Sequence, residues 1–176
     1  MEPRPVKDAE TRPSSAKHFF FWLGVIALSA IGFNTWLDYQ ANPNQSPEVV
    51  IGEDGAREVR LERNRSGHYV TSGSINGEPV VFMLDTGASD VSIPLSVAER
   101  IGLERGVPRA ARTANGTIRV YDTRLDRVSI GGLSLTGVRG SINPHFEGEA
   151  ILLGMSFLGE LEFTQSQGVL TLRRMR

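Results

Sequence analysis

Leu84-Asp85-Thr86-Gly87-Ala88-Ser89 decides the reading of this chain. The preceding run, Pro79-Val80-Val81-Phe82-Met83-Leu84, is apolar and short enough for a buried strand. It ends in a carboxylate, and a tight turn starts straight after it. That geometry places one acid in a sheltered crevice with backbone N–H groups close by. Gly87 has no Cβ, so its N–H is free to approach the carboxylate.

Outward from this point the pattern is mostly strand. Glu58-Val59-Arg60-Leu61-Glu62-Arg63 alternates polar and apolar, the period of a half-buried strand. His68 to Ile75 forms a second strand. Asn76-Gly77 follows, a strong hairpin signal because both central residues of a type I′ turn need φ > 0. Pro79 to Leu84 then returns and delivers Asp85. Pro94 to Ile101 reads as a short helix, with Pro at its start and Gly102 as its stop. Further strands are expected at Ile118–Tyr121, Leu125–Ile130, Gly137–Ile142, Ala150–Leu153, Leu161–Phe163 and Val169–Leu172. Many short strands with one or two short helices indicate an all-β domain, a small closed β-barrel spanning 57–176.

Phe19 to Leu37 carries no charge. At ~1.5 Å per residue such a stretch makes about 28 Å of helix, close to the ~30 Å hydrocarbon core of a bilayer. Trp22 and Trp36 sit toward its ends, where amphipathic rings prefer the interface. A buried globular helix of this length would normally show a polar face, and this one shows none. Ala27-Leu28-Ser29 loosely fits a signal-cleavage site, but the apolar run continues past it, which favours an uncleaved anchor. Arg4, Lys7, Arg12 and Lys17 precede the span. After it no Lys or Arg occurs until Arg57, while Asp38, Glu48, Glu53 and Asp54 do. The positive-inside rule therefore keeps residues 1–18 in the cytoplasm, uses 19–37 as a transmembrane anchor and exports the rest. Residues 38–56, with Asn42-Pro43-Asn44-Gln45-Ser46-Pro47, read as a polar, proline-broken linker. Val49-Val50-Ile51 within it has the composition of a short strand.

Composition narrows the chemistry. The net charge is −1, which gives no field directed at nucleic acid. There is no cysteine, so thiol catalysis, disulfides and cysteine-ligated zinc are excluded. His18, His68 and His145 are scattered without ligand spacing, and no metal or other cofactor is expected. Gly154-Met155-Ser156-Phe157-Leu158-Gly159 is one residue too long for a Gly-x-Ser-x-Gly nucleophile elbow, so Ser156 reads as structural. Asp122 and Asp126 read as solvated. Arg105, Arg109 and Arg112 read as a loose basic surface stretch.

Hydrolysis of a peptide bond without metal or nucleophile needs a base to activate water and an acid to protonate the departing nitrogen. Two carboxylates held close together do both jobs, because their like charges let them keep one proton between them. A single Asp85 does not provide that state. A two-fold axis beside it would bring the partner from a second chain. Thr86 would hydrogen-bond across that axis and stiffen the turn, and Ala88 would keep the neighbouring space small. Ile151-Leu152-Leu153-Gly154 has the form of a strand passing behind the Asp85 loop. Thr113-Ala114-Asn115-Gly116-Thr117 is a small-residue hairpin tip, suited to cover a cleft that admits an extended peptide.

Taken together, Gly67-His68-Tyr69, Ile75-Asn76-Gly77, Leu84 to Ser89, Thr113 to Thr117 and Leu152-Leu153-Gly154-Met155-Ser156-Phe157-Leu158 resemble the retropepsin-like aspartic proteases, specifically their membrane-anchored bacterial members. The resemblance covers about Arg57 to Leu172. It implies a closed, homodimeric β-fold, a water nucleophile and no cofactor. It makes Asp85 the catalytic residue, Thr86, Gly87, Ala88 and Ser89 its supporting loop, and Asn115-Gly116 the tip of a flap over the substrate. Viral members carry an acid where this chain has Ser89, so their contacts to substrate backbone do not transfer. The expected protein is an aspartic endopeptidase acting on protein or peptide substrates. It would sit in a bacterial inner membrane with its catalytic domain in the periplasm. A non-catalytic dimeric module that grips peptide strands in the same cleft is the alternative.

Overall fold

The computed structural model describes residues 15–52, 55–113 and 116–174. The chain divides into two units after Asp38. Helix α1 runs from Ser15 to Ala41. Its segment Lys17–Ala41 is long and apolar enough to cross a membrane. Phe19, Phe21, Trp22, Ile26, Leu28, Ile31 and Phe33 are all exposed, so apolar side chains surround the helix instead of lining one face. The Thr35 hydroxyl donates to the Ile31 carbonyl at 3.0 Å, which satisfies one polar group inside the apolar segment. Arg4, Lys7, Arg12, Glu53 and Asp54, used above to orient the span, lie outside the described residues.

The second unit is built from two sheets. Strands β1 (Glu48–Ile51), β2 (Arg57–Glu62), β11 (Val169–Arg174) and β10 (Leu161–Ser166) form an antiparallel sheet in the order β1-β2-β11-β10. The larger sheet runs β3 (Val70–Ile75), β4 (Glu78–Leu84), β9 (Ala150–Leu153), β5 (Val91–Pro94), β8 (Leu133–Asn143), β7 (Gly116–Ile130) and β6 (Pro108–Thr113). A further antiparallel pairing, Ser74↔Ser129 and Ile75↔Val128, joins β3 to β7 and closes six of these strands into a ring. The closure needs Gly73. A Cβ there would stand 2.4 Å from the Ser129 carbonyl oxygen and 2.8 Å from the Phe82 ring. Of the strands of this sheet among the described residues, β6 lies outside the ring and pairs as a strand with β7 alone.

Inside, Ile75, Phe82, Ile93, Leu125, Ile130, Ile142, Ile151, Leu153 and Phe157 are fully buried and form one core with Leu61 and Leu172 of the smaller sheet. Burying each such side chain contributes about 1.5–3 kcal/mol relative to leaving it in water. The short helices α2 (Leu95–Arg100) and α3 (Met155–Leu158) add Val97, Ala98, Phe157 and Leu158 to it.

The hairpin at Asn76-Gly77 has φ of 54° and 93°, the expected I′ pattern, and β9 has the expected ends. The strands expected at Ile118–Tyr121 and Leu125–Ile130 are one continuous β7. Asp122, Thr123 and Arg124 interrupt the apolar pattern, but their backbones stay paired to Ser141, Gly140 and Arg139, and the ladder does not depend on side-chain polarity. Strand β6 replaces what reads in sequence as a loose basic stretch.

The stretch 38–56 also differs from a free linker. Asn42 and Asn44 are buried, and Val49 and Val50 lie on β1, paired with β2. The Asn44 amide donates to the Glu62 carbonyl at 2.9 Å and to the Val70 carbonyl at 2.7 Å, and its oxygen accepts the Glu62 N–H at 2.7 Å. One side chain thereby ties β2 to β3. A polar, proline-containing sequence packs here through hydrogen bonds, a route that apolar periodicity does not reveal.

Candidate active site

Strand β9 lies between β4 and β5, parallel to β4 with Leu84↔Leu153 and antiparallel to β5 at Ser92↔Leu152. The chain from β4 to β5, residues 85–90, must therefore cross the end of β9, a lateral step of roughly 10 Å for two strand spacings. This crossing carries Asp85. Its N–H donates to the Leu153 carbonyl at 3.1 Å, continuing the β4 ladder one residue past the strand. The chain then turns, and the Ala88 N–H returns to the Asp85 carbonyl at 3.2 Å. The Gly87 N–H donates to Asp85 Oδ1 at 2.8 Å, as its lack of a Cβ suggests.

The far side of the loop is held by the chain leaving β9. Met155 N–H donates to the Ala88 carbonyl at 2.8 Å and Ser156 N–H to the Ser89 carbonyl at 2.9 Å. A Cβ at Gly154 would lie 2.2 Å from the Asp90 carbonyl oxygen and 2.5 Å from that of Ala88. No other residue fits between the loop and α3. Ser156 Oγ accepts the Val91 N–H at 3.1 Å and donates to the Arg139 carbonyl at 2.7 Å. Its hydroxyl is committed to structure.

Asp85 is half-buried, while Thr86, Gly87 and Ser89 are exposed and Ala88 is half-buried. The loop forms one wall of a cleft of about 570 Å³. Asp85, Gly87, Ala88 and Ser89 line it, with Ser141, Asn143 and Leu152 beside them and the residues of β6 opposite, including Thr113. Ile118 and Val120 add an apolar patch. Of the expected hairpin-tip residues, Thr113 bonds the Gly116 carbonyl through its hydroxyl at 2.8 Å, Gly116 and Thr117 begin β7, and Ala114 and Asn115 lie outside the described residues.

The carboxylates lining the cleft are Asp85 and Asp90. Asp90 is already paired: Arg109 of β6 bonds it, and Arg139 stands 3.6 Å away. Arg109 also pairs with Asp122 of β7. Thus Arg109 and Asp122, read from sequence as surface solvation, form one charged cluster with Asp90. The spacings 90, 109 and 122 have no local period, so only the pairing of β6 with β7 and the loop crossing bring them together. Asp85 has no cationic partner among the described residues.

A ring of strands closed around one core, with an aspartate loop crossing an inserted strand beneath a projecting hairpin, defines the retropepsin-like aspartic protease fold. A solved structure, a retropepsin-like aspartic protease from Rickettsia conorii, matches 73% of this chain and 94% of its own at 27% identity, with a TM-score of 0.55. The family described as "gag-polyprotein putative aspartyl protease" matches residues 71–160, from β3 through the hairpin to α3. The chain belongs to this family of aspartyl proteases. An uncharacterized protein from the cobV 5′ region of a Sinorhizobium species is 30% identical over 120 residues, 66% of this chain and 52% of that protein. Another, from Rickettsia prowazekii (strain Madrid E), is 30% identical over 104 residues, 57% of this chain and 44% of that protein. The chain spans about half the length of the curated relatives it matches.

Proposed function

We propose that this protein is a membrane-anchored aspartic endopeptidase whose catalytic centre forms when two copies bring their Asp85 side chains together. The observation that carries this reading is the state of Asp85. It is a half-buried carboxylate, fixed by one glycine N–H, without a cationic partner, at the wall of a cleft beneath a hairpin. The cleft's other carboxylate is neutralised by Arg109. One copy therefore has one carboxylate to offer, and a second copy completes the acid–base pair.

In such a pair one carboxylate is protonated and the other ionised. The ionised one takes a proton from a water placed between them as its oxygen attacks the scissile carbonyl. The protonated one shares its proton with the carbonyl oxygen, and a proton then passes to the departing nitrogen. Thr86, exposed beside Asp85, would bond its counterpart across the axis, and Ala88 and Ser89 would form the floor next to the peptide. The substrate would lie extended between this floor and β6, with Thr113, Gly116 and Thr117 above it.

The apolar helix α1 supports anchoring in a bacterial inner membrane, and the flanking charges support an N-terminus in the cytoplasm and a catalytic domain in the periplasm. Comparison of full-length protein with Asp85→Asn on a peptide library, alongside its mass in solution, tests the reading. Cleavage by the wild type only, from a dimer, is the expected result. A monomer that cleaves peptides, or equal behaviour of the two proteins, rejects it, and peptide binding without cleavage by both would identify a binding module.

A further inference from the structure

We propose that Arg109 is a positioning residue that sets the angle of the β6–β7 hairpin over the cleft, by locking the root of that hairpin to the loop bearing Asp85.

The hairpin has a defined root. Pairing of β7 with β8 stops at Tyr121↔Ile142, so Gly116–Val120 bond only to β6 and project beyond the closed ring. Just below, the Asp122 backbone fixes the start of β6: its N–H donates to the Val107 carbonyl at 3.0 Å and its carbonyl accepts the Gly106 N–H at 2.7 Å. Arg109 lies two residues past this clamp, at the first turn of the projecting arm. Its Nε bonds Asp122, across the hairpin, and its Nη2 bonds Asp90, across the cleft.

Asp90 is a firm anchor. Its side chain is 17% exposed, Arg139 reinforces it, and its loop is held by the Met155 and Ser156 N–H groups. The planar guanidinium fork suits this task, because it bonds two carboxylates in fixed directions, which a lysine ammonium does not. Beyond Arg109 the arm carries Ala110, Ala111, Arg112 and Thr113, and among the described residues no side-chain bond ties these to the rest of the domain. The charged bridge at the root is therefore the one hydrogen-bonded side-chain tie from the arm to the rest of the domain among the described residues, beside the packing of Val120, which is buried at the same root.

The inference rests on the proposed protease reading for its kinetic arm only. Hydrogen exchange by mass spectrometry is measured on the full-length chain in detergent, in an Asp85→Asn background that excludes self-cleavage. Arg109→Met is expected to speed exchange of the 110–113 and 118–120 amides at least about tenfold, with β3, β4 and β9 unchanged, and Arg109→Lys to restore little of the protection. In proteins retaining Asp85, Arg109→Met is expected to raise KM for a peptide substrate at least about tenfold while kcat changes less than about threefold. Unchanged exchange in β6, faster exchange throughout the domain, or an unchanged KM in an active enzyme would overturn the proposal. Local loosening of β6 in a protein that cleaves no peptide even as wild type would support the hinge and reject the protease reading instead.

Discussion

Asp85 lies in the 85–90 loop and Gly154 packs against it, and each makes a different demand on that loop. On the proposed reading Asp85 supplies the chemistry, and Asp85→Asn keeps shape and hydrogen-bonding capacity while removing the charge. Peptide hydrolysis is expected to fall by roughly 10²–10⁴-fold, with an unchanged thermal unfolding midpoint. Gly154 supplies space. Its substitution by alanine drives a Cβ into the Asp90 and Ala88 carbonyl oxygens, both backbone atoms that cannot turn aside. Gly154→Ala should destabilise the domain by about 3 kcal/mol or more, read as a lower urea midpoint. The placement of Asp85 is legible in six consecutive residues because the turn that displays it is local. The role of Gly154 is not, since its close neighbours sit more than sixty positions earlier in the chain.

Among the elements, those with a strong local cause match their sequence patterns: the Asn76-Gly77 hairpin, β4, α2 and β9. Elements sustained by partners do not. Strand β6 has two arginines and two alanines, a composition that forms a strand here because β7 lies alongside it. Segment 42–51 joins the folded unit through Asn44, whose amide replaces backbone bonds that β2 and β3 do not make to each other. Asn44→Ala would leave the buried Val70 carbonyl and the part-buried Glu62 carbonyl and N–H without that partner. A loss of about 2–4 kcal/mol is expected in chemical denaturation, and a fragment starting at Pro47 should be weakened to a similar extent relative to one starting at Tyr39.

For the whole molecule, on the proposed reading, the central quantity is the encounter of two copies. If the acid pair is shared, activity per chain depends on dimer concentration, and tethering by α1 raises that concentration in the plane of a bilayer. The domain beginning at Tyr39 should lose specific activity on dilution, while full-length protein in vesicles keeps it. Activity assays over a dilution series, paired with sedimentation, check this. A constant specific activity for both forms would mean that association does not limit the enzyme.

The sequence by itself determined the position of the acid, the strand that carries it, the hairpin before it and the apolar helix ahead of the domain. Each rests on neighbours within a few residues, where side-chain periodicity and turn chemistry act. Only the tertiary structure decided how the ring closes at Gly73, why Asn44 is buried, and that Arg109 joins Asp90 to Asp122. Those contacts depend on strand pairing between distant segments, where backbone hydrogen bonds and excluded volume set the geometry and the local sequence carries no trace of it.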